Sequence, residues 1–405
     1  MRVVLLSDCF LPAIGGIEVH VYSLGWHLAA LGHDVSILTH VPVRPGTGSA
    51  PPLRPGLTVQ YLPGFVPRVL GGDPAINPRT FRALARALES GRFEVVHGHS
   101  SASLLVLLGL RAARRLGIPT VLTEHSMTLR RSRPGLVNRA LLAAQRACVR
   151  AWAQQIIVLN REAAAELSGL GVPIAIIPGG VDCQRFRPDG DLRQQTRHSL
   201  GYNDEDIVVG YLGRLVPSKG APSLLRCLQL ICQEERRVRG LFVGGGPLLA
   251  SLRQQVAARG LSARLQFVGP CPWPETPRYL NAMDIFAFPS YTEACGLALL
   301  EAMACGLPMV ARSTAGARQA LGAEECGRLV DSDEELRAAL LQLCRDEGLR
   351  HAFGRAARRR AEGLFRWELV AEMTSALYQE LAGRTALALP QPGAEAACGP
   401  DQDAT

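Results

Sequence analysis

Ile176-Ile177-Pro178-Gly179-Gly180-Val181-Asp182 interrupts this 405-residue chain near its middle. A proline followed by two glycines breaks regular structure, and the same pattern of short apolar strands alternating with helical periodicity runs on both sides of it. Before the break, Arg2–Ser7, Asp34–Thr39, Phe93–His97, Pro119–Glu124 and Gln155–Leu159 read as strands. Helical patterns fill Gly16–Leu31, Thr80–Ser90, Ser101–Leu116 and Pro134–Ala153. After the break, Ile207–Tyr211, Arg239–Val243, Arg264–Val268, Ile285–Pro289 and Pro308–Ala311 are strands with helices between them. Such alternation predicts parallel, doubly wound sheets, and its restart predicts an α/β fold of two Rossmann-like domains facing each other across a cleft. The expected domains are residues 1–180 and 181–366, followed by a helix over 367–382 that packs back on the first domain. The Pro-, Gly- and Ala-rich residues 383–405 read as a disordered tail, and Val41–Pro78 as a long irregular connection.

An apolar fraction of 47% and a charged fraction of 20% describe an ordinary globular protein. The eleven cysteines lack metal-like spacing and read as reduced thiols. Only four apolar residues separate Arg2 from Ser7-Asp8, which reads as a first strand, and no apolar run approaches the ~18–20 residues of a membrane span. A cytoplasmic protein is expected. Charge is uneven: residues 1–180 hold 18 arginines against 9 acidic residues. Arg130, Arg131, Arg133, Arg139, Arg146 and Arg150 cluster on one segment. Such a stretch can lie on the anionic inner face of a membrane, face an acidic substrate, or be a solvated helix face. Aromatic residues are 5% of the chain and none interleaves with these arginines, which argues against nucleic acid.

Lys219 is the only lysine, in Gly213-Arg214-Leu215-Val216-Pro217-Ser218-Lys219-Gly220, directly after a predicted strand. A guanidinium and an ammonium there can neutralise a diphosphate. Glu293-Ala-Cys-Gly-Leu-Ala-Leu-Leu-Glu301 supplies two carboxylates. Read as one helix starting at Glu293, it separates them by about 12 Å, beyond the spacing of a glycosidase pair. They are expected to grip different parts of one extended ligand, with the buried Glu301 on ribose hydroxyls. Gly15-Gly16, between the first strand and helix, lets backbone N–H groups approach a phosphate, or is a plain tight turn. His97 and His99 end one strand and His125 another. His97 reads as structural, and His125 as a group that orients a substrate hydroxyl. Gly244-Gly245-Gly246-Pro247 follows a strand, but no G-x-G-x-x-G occurs, which argues against a dinucleotide cofactor.

Gly15-Gly16-x-Glu18, His125, Pro178-Gly179-Gly180-Val181-Asp182, Gly213-Arg214-Leu215-x-x-x-Lys219-Gly220, Gly244-Gly245-Gly246-Pro247 and Glu293-x7-Glu301 occur in this order. In this the chain resembles the retaining glycosyltransferase family 4, of GT-B fold. The resemblance implies transfer of a hexose or N-acetylhexosamine from a nucleotide sugar, UDP- or GDP-linked, to a hydroxyl acceptor, with no metal and no cofactor. A lipid-linked acceptor fits the basic first half. By resemblance, Glu301 binds the ribose, Glu293 the sugar, and Arg214 and Lys219 the diphosphate beside Gly15 and Gly16. Gly246 and the amides of Gly296 and Leu297 complete the donor site, and His125 sits by the sugar and the incoming hydroxyl. His97-Gly98-His99-Ser100-Ser101 and Glu124-His125-Ser126 look similar to the N-acetylglucosaminyl-phosphatidylinositol transferases, and bacterial mannosyl- and glucosyltransferases share much of this pattern. Gly179 replaces a usual asparagine, and Ser313-Thr314-Ala315-Gly316-Ala317-Arg318-Gln319 lacks the customary second glycine and glutamate. A nucleotide-sugar epimerase and a non-catalytic donor-binding subunit of a transferase complex stand as alternatives.

Overall fold

The computed structural model describes residues 1–11, 15–40, 52–63, 78–125, 136–323 and 325–388. Arg130, Arg131, Arg133 and residues 389–405 lie outside the described residues.

The N-terminal lobe is built on seven parallel strands, β1 (Arg2–Leu6), β2 (Asp34–His40), β3 (Leu57–Leu62), β4 (Val95–His99), β5 (Thr120–Glu124), β6 (Gln155–Val158) and β7 (Ile174–Ile176), in the order β3-β2-β1-β4-β5-β6-β7. Six parallel strands build the second lobe: β8 (Ile207–Leu212), β9 (Val238–Val243), β10 (Leu265–Gly269), β11 (Ile285–Phe288), β12 (Met309–Arg312) and β13 (Gly327–Val330), ordered β10-β9-β8-β11-β12-β13. Both sheets are covered on both faces, which is why their central strands are continuous apolar runs. In β1, Val3 and Leu5 join one core cluster while Val4 and Leu6 join the other. Val208 and Val209 of β8 divide in the same way. The fold is the expected pair of parallel-sheet α/β domains.

Three strands depart from the sequence reading. β3 lies inside Val41–Pro78, which was expected to be irregular; it is an edge strand with only Leu57 and Leu62 buried, so it carries little apolar signal. β7 and β13 are edge strands of three and four residues. The last helix, α14 (Trp367–Ala388), runs past Gly383, where its end was expected. One glycine costs a helix only about 1 kcal/mol. The chain returns to the first lobe where Val181 bridges Arg366. There α14 packs on α1 (Gly16–Ala30), placing Trp367, Val370, Ala371, Tyr378 and Leu381 in the N-terminal core.

Candidate functional site

Each sheet reverses its winding between two central strands, β1/β4 in one lobe and β8/β11 in the other, and the loops leaving the strand ends there form a crevice. On the C-terminal side the loops after β8, β9, β10 and β11 surround a cavity of about 390 Å³, closed from the other lobe by Gly15, Gly16 and Val19. The loops after β8 and β9 touch backbone to backbone: a Cβ on Gly244, at φ +137°, would lie 1.9 Å from the Gly213 carbonyl oxygen. Two helix N-termini border the cavity without a side-chain cap, α1 at Gly15 and α10 (Leu297–Ala304) at Gly296. The N–H groups and dipoles at these ends favour an anion, and at α1 the Glu18 carboxylate already takes its own backbone N–H.

Of the residues singled out from sequence, Gly15, Gly16, Arg214, Lys219, Glu293, Gly296, Leu297 and Glu301 all line this cavity. Gly246 is not among the lining residues; Gly244 and Gly245 are. Gly246 instead packs on the Leu215 backbone, where an added Cβ would meet the carbonyl oxygen at 2.4 Å. Glu293 does not begin a helix. It sits in the loop before Gly296, whose φ of +75° turns the chain into α10. The helical spacing of the two carboxylates therefore does not apply, because the left-handed turn lies between them.

Two charges of the cavity, Lys219 and Glu293, are paired with each other. Lys219 Nζ lies 2.5 Å from Glu293 Oε2. Arg214 is exposed, and its charge partly offsets the burial that raises the pKa of Glu18 on α1. Glu301 is buried, and its Oε1 accepts from Trp273 Nε1 at 2.7 Å. Burial pushes its carboxyl up to about 7 despite that bond, since desolvation disfavours the ionised form. The Arg185 guanidinium covers the Trp273 ring at 4.4 Å. The sequence reading missed Trp273 and Arg185; the signal available was a tryptophan in Pro270-Cys271-Pro272-Trp273-Pro274, directly after a strand.

His125 is outside this cavity. Its Nε2 is 3.0 Å from His99 Nδ1, and its ring meets His20 edge-on at 4.6 Å. Burial holds its pKa down to about 3, so at neutral pH the ring is uncharged. His97 is bonded through both nitrogens, to the Tyr378 hydroxyl at 2.6 Å and the Thr123 hydroxyl at 2.7 Å, and so acts as a structural tie to α14.

The lobes are clasped beside the cavity. Asn160 caps α5 (Arg161–Leu167) by accepting from Ala163 N, and donates through Nδ2 to the Ala294 carbonyl at 2.8 Å. Glu162 takes both arms of Arg318 at 2.7 and 2.8 Å, and Gln319 donates to the Leu159 carbonyl at 2.9 Å. Arg318 and Gln319 belong to the stretch that departs from the customary pattern, and the two residues bridge the lobes. A larger groove of about 1090 Å³ lies at the opposite end of the second sheet, where Asp284 is already held by Arg193 and Arg197.

Comparison with known proteins agrees with this architecture. The family described as Glycosyltransferase Family 4 matches residues 14–185, and Glycosyl transferases group 1 matches residues 193–360. The chain is 31% identical over 399 residues to a D-inositol 3-phosphate glycosyltransferase of Kribbella flavida, covering 90% of each chain. It is 30% identical over 331 residues to the GPI3 subunit of phosphatidylinositol N-acetylglucosaminyltransferase of Saccharomyces cerevisiae, covering 79% of this chain and 70% of that one. Among solved structures, HepE of Anabaena in complex with UDP and glucose superposes with a TM-score of 0.76 at 19% identity, covering 94% of this chain and 100% of that one. Sucrose-phosphate synthase from Thermosynechococcus elongatus superposes with a TM-score of 0.75 at 23% identity, covering 95% and 99%. Matched in both lobes and along nearly its whole length, the chain belongs to glycosyltransferase family 4, with the GT-B fold.

Proposed function

We propose that the protein is a retaining glycosyltransferase that moves a hexose or N-acetylhexosamine from a UDP- or GDP-sugar to a hydroxyl acceptor, with no metal at the diphosphate. The observation that carries this reading is the convergence of Arg214, Lys219, Glu293, Glu301 and two uncapped helix N-termini on one cavity. Arg214 and Lys219 supply the positive charge that a divalent cation would otherwise bring, and their pull strengthens as charge develops on the departing diphosphate. Binding of donor separates Lys219 from Glu293, freeing the carboxylate for sugar hydroxyls. Glu301 takes the ribose hydroxyls. Retention follows if the acceptor attacks from the face the diphosphate leaves, with the acceptor proton passing to a phosphate oxygen. In that scheme the uncharged His125 orients the acceptor hydroxyl from the N-terminal lobe.

Two relatives are named for inositol-containing substrates, a phosphatidylinositol and an inositol 3-phosphate. We take an inositol bearing a phosphate, free or lipid-linked, as the acceptor class. No helix among the described residues is long and apolar enough to cross a membrane. Helix α4 (Leu136–Trp152) exposes Arg139 and Arg150 together with Leu141, which is 64% exposed, a composition suited to peripheral contact with an anionic bilayer.

Thermal unfolding with UDP, GDP, ADP and their sugars selects the donor, since a ligand at 100 times its Kd adds about 2.7 kcal/mol. Transfer is then assayed on inositol 3-phosphate and on phosphatidylinositol vesicles. A product of inverted anomeric configuration overturns retention, loss of activity in EDTA overturns metal independence, and conversion of donor alone favours an epimerase.

A further inference from the structure

The crevice at the strand-order reversal of the N-terminal sheet holds a second group of convergent side chains. His20 comes from α1, the helix following β1; His99 is the last residue of β4; His125 directly follows β5. One ring nitrogen of each lies within 4.8 Å of the others. The ring centres of His20 and His125, His99 and His125, and His20 and His99 are 4.6, 5.3 and 5.7 Å apart. Three imidazoles on a tetrahedral cation with bonds of about 2.0–2.1 Å place their nitrogens about 3.3 Å apart and their ring centres about 5 Å apart. The His99–His125 nitrogen pair is a hydrogen bond of 3.0 Å, close to that spacing, which a cation bound by both nitrogens would replace. A shift of His20 of roughly 1–1.5 Å would complete the set.

The His20 ring is braced edge-on by Trp367 at 5.0 Å. A ligand set of imidazoles selects zinc, copper, nickel or cobalt over magnesium and calcium, which prefer oxygen.

We infer that His20, His99 and His125 form a binding site for a zinc-class divalent cation, separate from the diphosphate cavity and with a fourth position left for water or an acceptor oxygen. A cation there occupies His125. On the reading of His125 proposed above, zinc therefore competes with acceptor orientation and inhibits transfer.

The experiment is titration of the metal-free full chain with Co²⁺, which needs no catalytic activity. The expected result is one equivalent showing the intense visible bands of four-coordinate cobalt, bleached by Zn²⁺. The near-ultraviolet thiolate charge transfer that the cysteines would give should be missing. His20→Asn and His99→Asn should each weaken binding at least tenfold, whereas His351→Asn, at an exposed position on α13 (Glu347–Leu364), should not. If either cluster variant does not fold, X-ray absorption of the zinc-loaded wild type decides. A nitrogen and oxygen shell with imidazole scattering supports the site, and sulfur ligands or a six-coordinate aqueous shell overturn it. Absence of the visible bands, or their persistence in both folded variants, also overturns it. Binding at the histidines with undiminished transfer in Zn²⁺ would uphold the site and overturn the acceptor role of His125.

Discussion

Glu301→Gln should make the protein more stable and a poorer binder of its donor. The Glu301 carboxyl is raised from 4.5 to about 7 by burial, which corresponds to a penalty of about 3 kcal/mol on the ionised form. The folded chain keeps a proton that the unfolded chain releases as pH rises from 4.5 to about 7. Stability from this group is thus fully present below 4.5, falls across that window, and is lost above about 7. Glutamine carries no charge and still offers an oxygen to Trp273 Nε1, now bonded at 2.7 Å. At pH 8 the variant should therefore be more stable by up to about 3 kcal/mol, and near pH 4 it should match the wild type. At about 2.1 cal/mol/K per residue, that is a rise in Tm of about 7 °C if a lobe of roughly 200 residues unfolds alone, and about half that if the chain unfolds as one. Donor affinity should move the other way, weakening by about 1–3 kcal/mol as charged acceptors for the ribose hydroxyls are lost. Thermal unfolding from pH 4 to 8, with and without the nucleoside diphosphate that stabilises the wild type, measures both. A variant less stable at pH 8 would refute the burial argument, and unchanged donor affinity would refute the ribose assignment.

Asn160→Ser keeps a good helix cap but is too short to reach Ala294, so it should raise the donor KM while costing stability only about 1 kcal/mol; Asn160→Ala should cost about 1 kcal/mol more. Equal KM values for wild type and Asn160→Ser would show that the clasp does not position the Glu293 loop. Tyr378→Phe leaves the buried His97 Nδ1 without its 2.6 Å partner and should lower stability by about 1–3 kcal/mol, with exchange protection of α14 falling first; an unchanged Tm would reject the tie. Gly220 has φ +73° and a Cβ there would lie 2.0 Å from the Pro289 carbonyl oxygen, so Gly220→Ala should cost about 2 kcal/mol or more. A neutral effect on denaturant unfolding would contradict the left-handed turn beside Lys219.

Helix–strand alternation, the break at Pro178-Gly179-Gly180 and the positions of Arg214 and Lys219 after a strand were legible in the sequence, because each depends on neighbours a few residues apart. Edge strands β3, β7 and β13 escaped because a strand buried at only a few positions carries almost no periodic signal. The site was legible as a list of residue types, but its wiring was not. Glu301 meets Trp273, Asn160 meets Ala294, and His20, His99 and His125 meet one another only when loops from different strands dock. The same sequence that reads as a helix from Glu293 turns left-handed at Gly296, because the loop must fit against Gly316 N, which donates to the Glu293 carbonyl oxygen at 3.1 Å. By itself, then, the sequence determined two parallel-sheet lobes and the identity of the charged groups that end their strands. Tertiary structure decided which charges pair, which carboxyl holds its proton near neutral pH and which histidines stay uncharged, since these depend on burial and on partners distant in the chain.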